Sequence, residues 1–264
     1  MTTLVEQSGL VSIRPTYLEL AEGLAADFRA VGDRVPSENE IATSQGVSRP
    51  TARAALQELE RRFLVRRIRG AGTFVSRRID YVISDRRPPS ASATLRAAGA
   101  NPVTELVEAR SQPCPADVAR HLGIERGARV LVVRRLIRLD DVVTSWTSAY
   151  LPATLVPGLA AELATKQSLF EVLRDVYGIQ AHRRWSRASL DLPPMNAVRA
   201  LRLEGTPPSW LIEGVNETRG RPAQAIEFTR SWMRADLVNV VFEMGQPPRT
   251  VATQAEMVAT QAPR

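Results

Sequence analysis

The sequence has very few of the residues that form disulfides and metal sites. Among its 264 residues, one is a cysteine, Cys114, and two are histidines, His121 and His182. A single cysteine excludes an internal disulfide and fits a reducing compartment. The three residues lack metal-binding spacing, and no nucleophile–base pair or phosphate-cradling glycine loop stands out. We therefore predict no metal, no cofactor and no catalytic residues.

Long apolar segments are lacking as well. The chain has no apolar run of about 18 residues, so we expect no membrane-spanning helix and no membrane partner. The N-terminal residues lack the basic region and long apolar core of a signal peptide, so we expect a cytoplasmic protein. What the chain does have is 44% hydrophobic residues, over a length that suits two globular domains.

Residues 36–75 predict a winged helix-turn-helix, which is a DNA-reading module. Ser37 and Glu40 have the spacing of a capping box at the start of a first short helix. Ser48 then caps a second helix, with Pro50 in its first turn. This second helix carries an apolar stripe of helical period, formed by Ala52, Ala55, Leu56, Leu59 and Phe63.

After this helix the apolar period changes from helical to alternating. Residues 64–68 and 73–75 predict two short strands, and residues 69–72 predict the turn between them. Basic charge is concentrated in the same region. From Gly46 to Arg78, nine arginines and two glutamates give 9 − 2 = +7, which equals the net charge of the whole chain. A basic excess within one predicted module indicates a nucleic-acid partner, and a solvated basic surface is the alternative.

Four motifs, PTYLELAEGL, PSENEIA, GVSRPTARAALQELE and GAGTFV, resemble the DNA-binding domain of the GntR family of bacterial repressors. The resemblance covers residues 14–75 and implies that the chain binds a double-stranded DNA operator. Carried over position by position, it marks as DNA-binding residues Ser37, Asn39, Ser48, Arg49, Thr51, Arg53, Arg69 and Gly70. The family usually has arginine where this chain has Asn39. Because asparagine cannot make a charged, bidentate contact, we expect a different operator preference.

Changes in composition divide the chain into five segments. We predict a loose leader at 1–13, the winged helix-turn-helix domain at 14–76, a linker at 77–90, an effector-binding domain at 91–244 and a flexible tail at 245–264. In the effector-binding domain, the predicted strands are 103–110, 130–139, 144–151, 183–192, 210–218 and 223–233. The predicted helices are 94–98, 115–122, 168–177 and 194–203. Strands that return by hairpins predict an α+β fold with a mainly antiparallel sheet and helices packed on it.

The second half resembles the UTRA ligand-binding domain, which defines the HutC subfamily of GntR regulators and is similar in fold to chorismate lyase. The motifs are ADVARHLGIERGARVLVVRRL, YLP, SLFEVLRDVYG and GRPAQAIEFTRSWMRAD. The resemblance implies an effector site formed by Arg135, Thr147, Ser168 and Glu227, in which Arg135 binds an anion. A salt bridge between Arg135 and Glu227 within the sheet is the alternative for this pair.

Two departures from a sugar-phosphate-binding relative bear on the effector. The second arginine of an Arg-x-Arg pair is Ile137 here, and a late tyrosine is Met233, with Trp232 beside it. These changes predict a ligand with one anionic group and some apolar surface. The stretch 213–236 resembles regulators of phosphonate uptake and breakdown.

The two resemblances imply a homodimeric repressor that a small anionic metabolite releases from a palindromic operator. A phosphonate or an organic phosphate would fit this role. A regulator that responds to a sugar phosphate or a carboxylate is one alternative. A chorismate-lyase-like enzyme is another, although a lyase has no use for a DNA-binding head.

Overall fold

The computed structural model describes residues 16–68, 70–76, 78–84, 89–139, 142–166, 168–219 and 222–244. The leader predicted at 1–13 and the tail predicted at 245–264 lie outside these ranges. Within the chain, contacts separate two compact units, residues 1–78 and residues 79–264. Each unit has its own hydrophobic core.

The first unit is a winged helix-turn-helix, as predicted. Its helices are α1 (Thr16–Ala26), α2 (Glu38–Gln45) and α3 (Arg49–Arg61). Its strands are β1 (Arg34–Val35), β2 (Val65–Ile68) and β3 (Gly72–Val75), which form an antiparallel sheet in the order β1-β3-β2. The core joins all three helices to the sheet through Ala21, Leu24, Val35, Ile41, Ala52, Ala55, Leu56, Leu59 and Val65.

The predicted caps of α2 and α3 are confirmed. The Ser37 hydroxyl accepts the Glu40 amide at 3.3 Å, and the Glu40 carboxylate accepts the Ser37 amide at 2.7 Å, which completes the capping box. Gly46 ends α2 with a φ of 63°, in the left-handed region that glycine tolerates. Ser48 caps α3, and a proline stands in the first turn of that helix. These contacts span three or four residues, so a local sequence pattern was enough to predict them.

Phe63 does not continue the apolar stripe of α3, and this part of the prediction is wrong. The helix ends at Arg61, and Phe63 has a φ of 57° that turns the chain toward β2. Its ring is half-buried and lies 5.0 Å below the guanidinium carbon of Arg78. The helical period therefore stops one turn earlier than the apolar pattern indicated.

The second unit is built on a six-stranded antiparallel sheet, which confirms the predicted α+β class. The sheet order is β5-β6-β7-β10-β9-β8. Its strands are β5 (Val103–Pro113), β6 (Arg129–Leu139), β7 (Val142–Pro152), β8 (Ala181–Asp191), β9 (Ser209–Thr218) and β10 (Ala225–Arg234). Each of the six predicted strands corresponds to one of these, although most are longer than predicted.

Helices cover both faces of this sheet. They are α4 (Ala91–Ala97), α5 (Ala116–Leu122), α6 (Leu159–Thr165), α7 (Leu169–Tyr177) and α8 (Met195–Leu201). Helices α6 and α7 pack with Leu131 and Val133 of β6, whereas α5 packs with Val130 and Val132 of the same strand. This alternation along β6 is the period of two expected for a strand buried on both faces. The prediction missed α6.

No helix in the described part of the chain is long and apolar enough to cross a membrane.

Part of the predicted linker at 77–90 is instead a strand of the second unit. Strand β4 (Ile79–Ser84) pairs in parallel with β11 (Val238–Glu243), and Tyr81 lies opposite Val240. Tyr81 and Ile83 are both 5% exposed and belong to a buried cluster with Leu95. Because the partner strand lies more than 150 residues later in the chain, the local composition could not show this pairing.

Candidate DNA interface and effector cavity

The N-terminal end of α3 carries four of the predicted DNA-binding residues. Ser48, Arg49 and Arg53 are exposed, whereas Thr51 is half-buried. The Ser48 hydroxyl accepts the Thr51 amide at 3.3 Å and lies 2.8 Å from the Thr51 hydroxyl. The two hydroxyls therefore shape a helix N-terminus, which attracts phosphate. The two arginines extend from exposed positions on the same part of the helix.

Glu38 connects the two helices to the wing, which we define as β2, β3 and the turn between them. Its Oε1 lies 3.6 Å from Nε of Arg53 and 3.5 Å from Nη2 of Arg67 on β2. Exposed pairs of this kind contribute only about 0–1 kcal/mol, so a DNA phosphate can replace Glu38 as the partner of Arg53. The sequence carried no signal for Glu38, because its role depends on how α2 packs against α3.

Several arginines of the basic region are engaged inside the first unit. Arg61 and Arg62 both donate to the buried carboxylate of Glu58, at distances of 2.6–2.8 Å. The hydrogen bonds from Arg62 and Arg61 lower the pKa of Glu58. Arg67 contacts Glu60 as well as Glu38. The net charge of this region is therefore not a count of arginines that are free to contact DNA, because several are paired with glutamates of the first unit.

The other predicted DNA-binding residues lie at the start of α2 and at the tip of the wing. Ser37 caps α2, and Asn39 is exposed in its first turn. Gly70 is exposed at the tip with a φ of 78°, a conformation that favours glycine. Arg69 lies outside the described residues. The DNA contacts of all these residues stay predictions.

The second unit contains a cavity on one face of its sheet, which we call the inner cavity. Polar lining residues come from neighbouring strands of the sheet and include Arg135, Thr147, Arg183, Asn216, Glu227, Thr229 and Ser231. Arg135 lies opposite Thr147, and Thr147 lies opposite Ser231, with their hydroxyl oxygens 2.8 Å apart. The strand register therefore places these three side chains in one row across the sheet.

A second row crosses the other half of the sheet. Arg183 on β8 lies opposite Asn216 on β9, and Asn216 lies opposite Glu227 on β10. Three of the four predicted effector residues, Arg135, Thr147 and Glu227, thus line the inner cavity. Arg183 and Asn216 join them, although the sequence motifs did not mark either residue.

A β-bulge turns Arg183 toward the inner cavity. The register between β8 and β9 shifts between Arg183 and Trp185, so Arg184 is the extra residue. In a regular strand, Arg183 and Trp185 would lie on the same face because they are two residues apart. The bulge places them on opposite faces. Trp185 instead packs in the cluster formed with α5 on the other face. Plain alternation along this strand would therefore have misplaced one of the two.

Three buried polar atoms of the inner cavity have no hydrogen-bond partner within the described residues. They are Nε of Arg135, Nε of Arg183 and Oε1 of Glu227. The other oxygen of Glu227 accepts from Asn216 at 2.5 Å. Arg135 and Glu227 therefore do not form the hydrogen-bonded salt bridge that was the alternative for this pair. Unpaired buried polar groups cost free energy, so this arrangement favours a ligand that pairs with them.

Burial sets the titration of the two groups at the centre of the cavity. Glu227 is fully buried, and this burial raises the pKa of its carboxyl, while Arg135, the Asn216 hydrogen bond and Arg183 oppose the rise. Burial also lowers the pKa of Arg135, and the charge of Glu227 opposes that change. An arginine still stays protonated near neutral pH, so the cavity presents positive charge.

The inner cavity is narrow. Its free volume is about 40 Å³, which corresponds to roughly three water molecules. Arg135 also lines a second cavity with Leu106, Leu163 and Lys166, which we call the side cavity and which has a free volume of about 340 Å³. Arg135 is therefore accessible from two directions.

Two residues that the sequence placed near the effector lie outside the inner cavity. Ser168 does not line the inner cavity: its hydroxyl caps α7 by accepting the Glu171 amide at 3.3 Å, and it lines a neighbouring cavity. Trp232 was expected near the ligand, but it packs with Val143 and α8. It follows Ser231 on β10, and successive residues of a strand point to opposite faces.

Comparisons with known proteins agree with both units. Residues 16–75 match the bacterial regulatory proteins of the gntR family, and residues 97–239 match the UTRA domain. The HTH-type transcriptional regulator GgaR of Escherichia coli (strain K12) is 31% identical over 234 residues, which cover 87% of this chain and 91% of that protein. The probable transcriptional regulator PhnF of the same strain is 28% identical over 232 residues, with 86% and 94% covered.

A solved structure with the same architecture is that of PhnF from Mycobacterium smegmatis. It superimposes with a TM-score of 0.60 at 28% identity and covers 88% of this chain and 100% of the other. The matched domains and relatives are those of transcriptional regulators rather than enzymes. This agrees with the prediction of a regulator rather than a chorismate-lyase-like enzyme.

Proposed function

Because the chain belongs to the GntR family of bacterial regulatory proteins and carries a UTRA domain, we propose that it is a homodimeric repressor that a small anion releases from its operator. The observation that carries the proposal is the inner cavity. There, two arginine Nε atoms and one glutamate oxygen are buried without hydrogen-bond partners among the described residues. Such groups are matched by a ligand that has both an anionic group and a hydrogen-bond donor.

The charges of the cavity favour an anion. Among the described lining residues, Arg135 and Arg183 carry +2 and Glu227 at most −1, so the net charge is at least +1. A guanidinium donates paired hydrogen bonds to planar or tetrahedral oxyanions. Oε1 of Glu227 would accept from a hydroxyl or an amine of the ligand. Together with the pattern of residues 213–236, this supports a phosphonate or an organic phosphate.

DNA binding through two copies follows from the size of one reading head. The predicted contacts of a single α3 and a single wing are few, and proteins with two-fold symmetry read two-fold sites. We therefore propose that a dimer binds a palindromic operator, with Arg49 and Arg53 at the DNA and the protein located at the nucleoid. Footprinting that protected one asymmetric half-site under a monomer would contradict this part.

Release from DNA requires the cavity to influence the chain that leads to the first unit. Tyr81 lines the inner cavity and lies on β4, which begins at Ile79, directly after the boundary between the units. A ligand that contacts Tyr81 would act on this segment. Ligand and operator must then weaken each other by the same factor, because coupling between binding sites is reciprocal.

A thermal-shift screen of phosphonates, organic phosphates, sugar phosphates and carboxylates tests the proposal. A true effector should stabilise the wild-type protein, bind far less well to Arg135→Ala and Arg183→Ala, and lower operator affinity. Arg129→Ala is the matched control, since Arg129 lies on the same strand as Arg135 but hydrogen-bonds to Ser111. A hit that stabilises wild type and Arg135→Ala equally would exclude the anion site, and a ligand without effect on operator binding would exclude induction.

A further inference from the structure

The inner cavity cannot hold a whole metabolite as it stands. Its free space is that of roughly three water molecules, about the size of one tetrahedral oxyanion. Yet its unpartnered groups come from three strands and include both cationic and acceptor atoms. A ligand that has an organic substituent must therefore extend beyond this space.

A larger cavity adjoins the inner one, and we call it the outer cavity. Its free volume is about 320 Å³, and its lining includes Ser168, Arg174, Ile179, His182 and Arg219. Because Arg174 and Arg219 are exposed, the outer cavity reaches solvent. It therefore offers the volume that the inner cavity lacks, together with an opening to solvent.

Among the described residues, Ser90 and Phe170 line both cavities. Ser90 is held in place: its hydroxyl accepts the Ala93 amide at 3.3 Å as the cap of α4, and its carbonyl accepts the Thr94 hydroxyl at 3.0 Å. Phe170 stands in the first turn of α7, is half-buried, and has a ring that can make no such hydrogen bonds. The movable part of the boundary is therefore the ring of Phe170.

We propose that the effector site consists of both cavities and that Phe170 is the partition that selects ligands by length. The anionic head binds between Arg135 and Arg183 in the inner cavity. The remainder of the ligand displaces the ring of Phe170 and occupies the outer cavity. This displacement would also bring Ser168 into the same site as Arg135, Thr147 and Glu227.

The ligand class that fits is a phosphonate or phosphate ester whose head carries a chain of several heavy atoms. Inorganic phosphate would fill the inner cavity alone and gain nothing from the outer one. This inference rests on the proposed anion site, and it adds that a side chain other than the arginines decides ligand length.

Calorimetric titration with inorganic phosphate and with methyl-, ethyl-, butyl- and hexylphosphonate tests the partition. The proteins are wild type, Phe170→Ala and Phe170→Leu, with Leu106→Ala as the matched control because Leu106 borders Arg135 in the side cavity. In Phe170→Ala, each added methylene should tighten binding by up to about fourfold. In wild type the gain should be smaller, since the ring must move. Inorganic phosphate should bind to wild type and to Phe170→Ala with similar affinity, and so should methylphosphonate.

Three results would overturn the inference. Phe170→Ala and Phe170→Leu could leave the length dependence unchanged, they could shift all five probes equally, or Leu106→Ala could change the length dependence instead. In each case, loss of binding in Arg135→Ala would show that the anion site itself stands. If no probe binds to wild type in a manner that depends on Arg135, the anion site fails and the partition fails with it.

Discussion

Asn216 donates a hydrogen bond of 2.5 Å to one carboxylate oxygen of Glu227, while the other oxygen is buried and has no partner in the described part of the chain. Because Asn216 is itself buried on the neighbouring strand, it holds the carboxylate in one orientation. The free oxygen thereby becomes the one acceptor that Glu227 can offer to a ligand. Burial of this carboxylate also has a consequence for stability.

Glu227→Gln should change how stability depends on pH. Burial raises the pKa of the folded carboxyl above its ordinary value of 4.5. At pH values between the ordinary pKa and the raised pKa of the folded state, the folded state binds more protons than the unfolded state. The free energy of unfolding therefore falls as pH rises through this range. The amide cannot ionise, so the variant should lack this decline. Urea unfolding of wild type and the variant at a series of pH values on both sides of 4.5 measures the difference.

Glu213→Gln is the control of opposite sign. Burial alone would raise the pKa of Glu213, but hydrogen bonds from Arg230 and Arg187 outweigh it and lower the pKa. Its contribution to stability is therefore present above the ordinary pKa and is lost as pH falls through the lowered one. If Glu227→Gln and Glu213→Gln changed the pH profile in the same direction, the assignment for Glu227 would be wrong.

Gly214→Ala should destabilise the second unit and weaken effector binding. A Cβ at position 214 would lie 2.8 Å from the backbone oxygen of Trp185, at the bulge that orients Arg183. Since backbone must move to relieve this contact, we expect a loss of about 1–3 kcal/mol. Gly23→Ala is the matched control: Gly23 is exposed in α1 with open space around it, and alanine there should be neutral or slightly stabilising. Chemical denaturation compares the two.

Arg49→Ala and Arg53→Ala should each reduce discrimination between operator and random DNA by about 1–3 kcal/mol if they contact bases. Arg61→Ala removes the same charge from the other end of α3, where Arg61 is paired with Glu58. It should leave the ratio of specific to non-specific affinity nearly unchanged. Fluorescence anisotropy with both DNA types, at two salt concentrations, separates the two outcomes. Equal effects of all three variants would mean that α3 contributes charge alone.

Ser37 can be tested for two roles at once. Ser37→Ala removes the cap of α2 and should cost about 1 kcal/mol of stability. Ser37→Asp keeps a good capping group but adds a negative charge, so it should preserve stability and weaken DNA binding if the hydroxyl faces a phosphate. Ser44→Ala, in the same helix but away from its cap, should do neither. An aspartate variant that binds DNA normally would remove Ser37 from the interface.

The sequence by itself determined the features that depend on neighbours a few residues apart. The capping box of Ser37 and Glu40, the cap at Ser48 and the glycine end of α2 are all formed within one helical turn. The motif that contains them predicted the fold of the first unit and its role in DNA binding. In the second unit, alternation and turn residues were enough to predict six strands and the α+β class.

Which side chains share the inner cavity depends on the folded arrangement of the strands. A single extra residue reverses the face of a strand, and such a bulge places Arg183 at the cavity. A second shift lies between Ala225 and Glu227 on β10. The pairing of β4 with β11, which brings Tyr81 into the second unit, joins segments far apart in the chain. Bulges and distant pairings depend on the partner strand, so no local pattern could reveal that Arg183 is the second cation of the site.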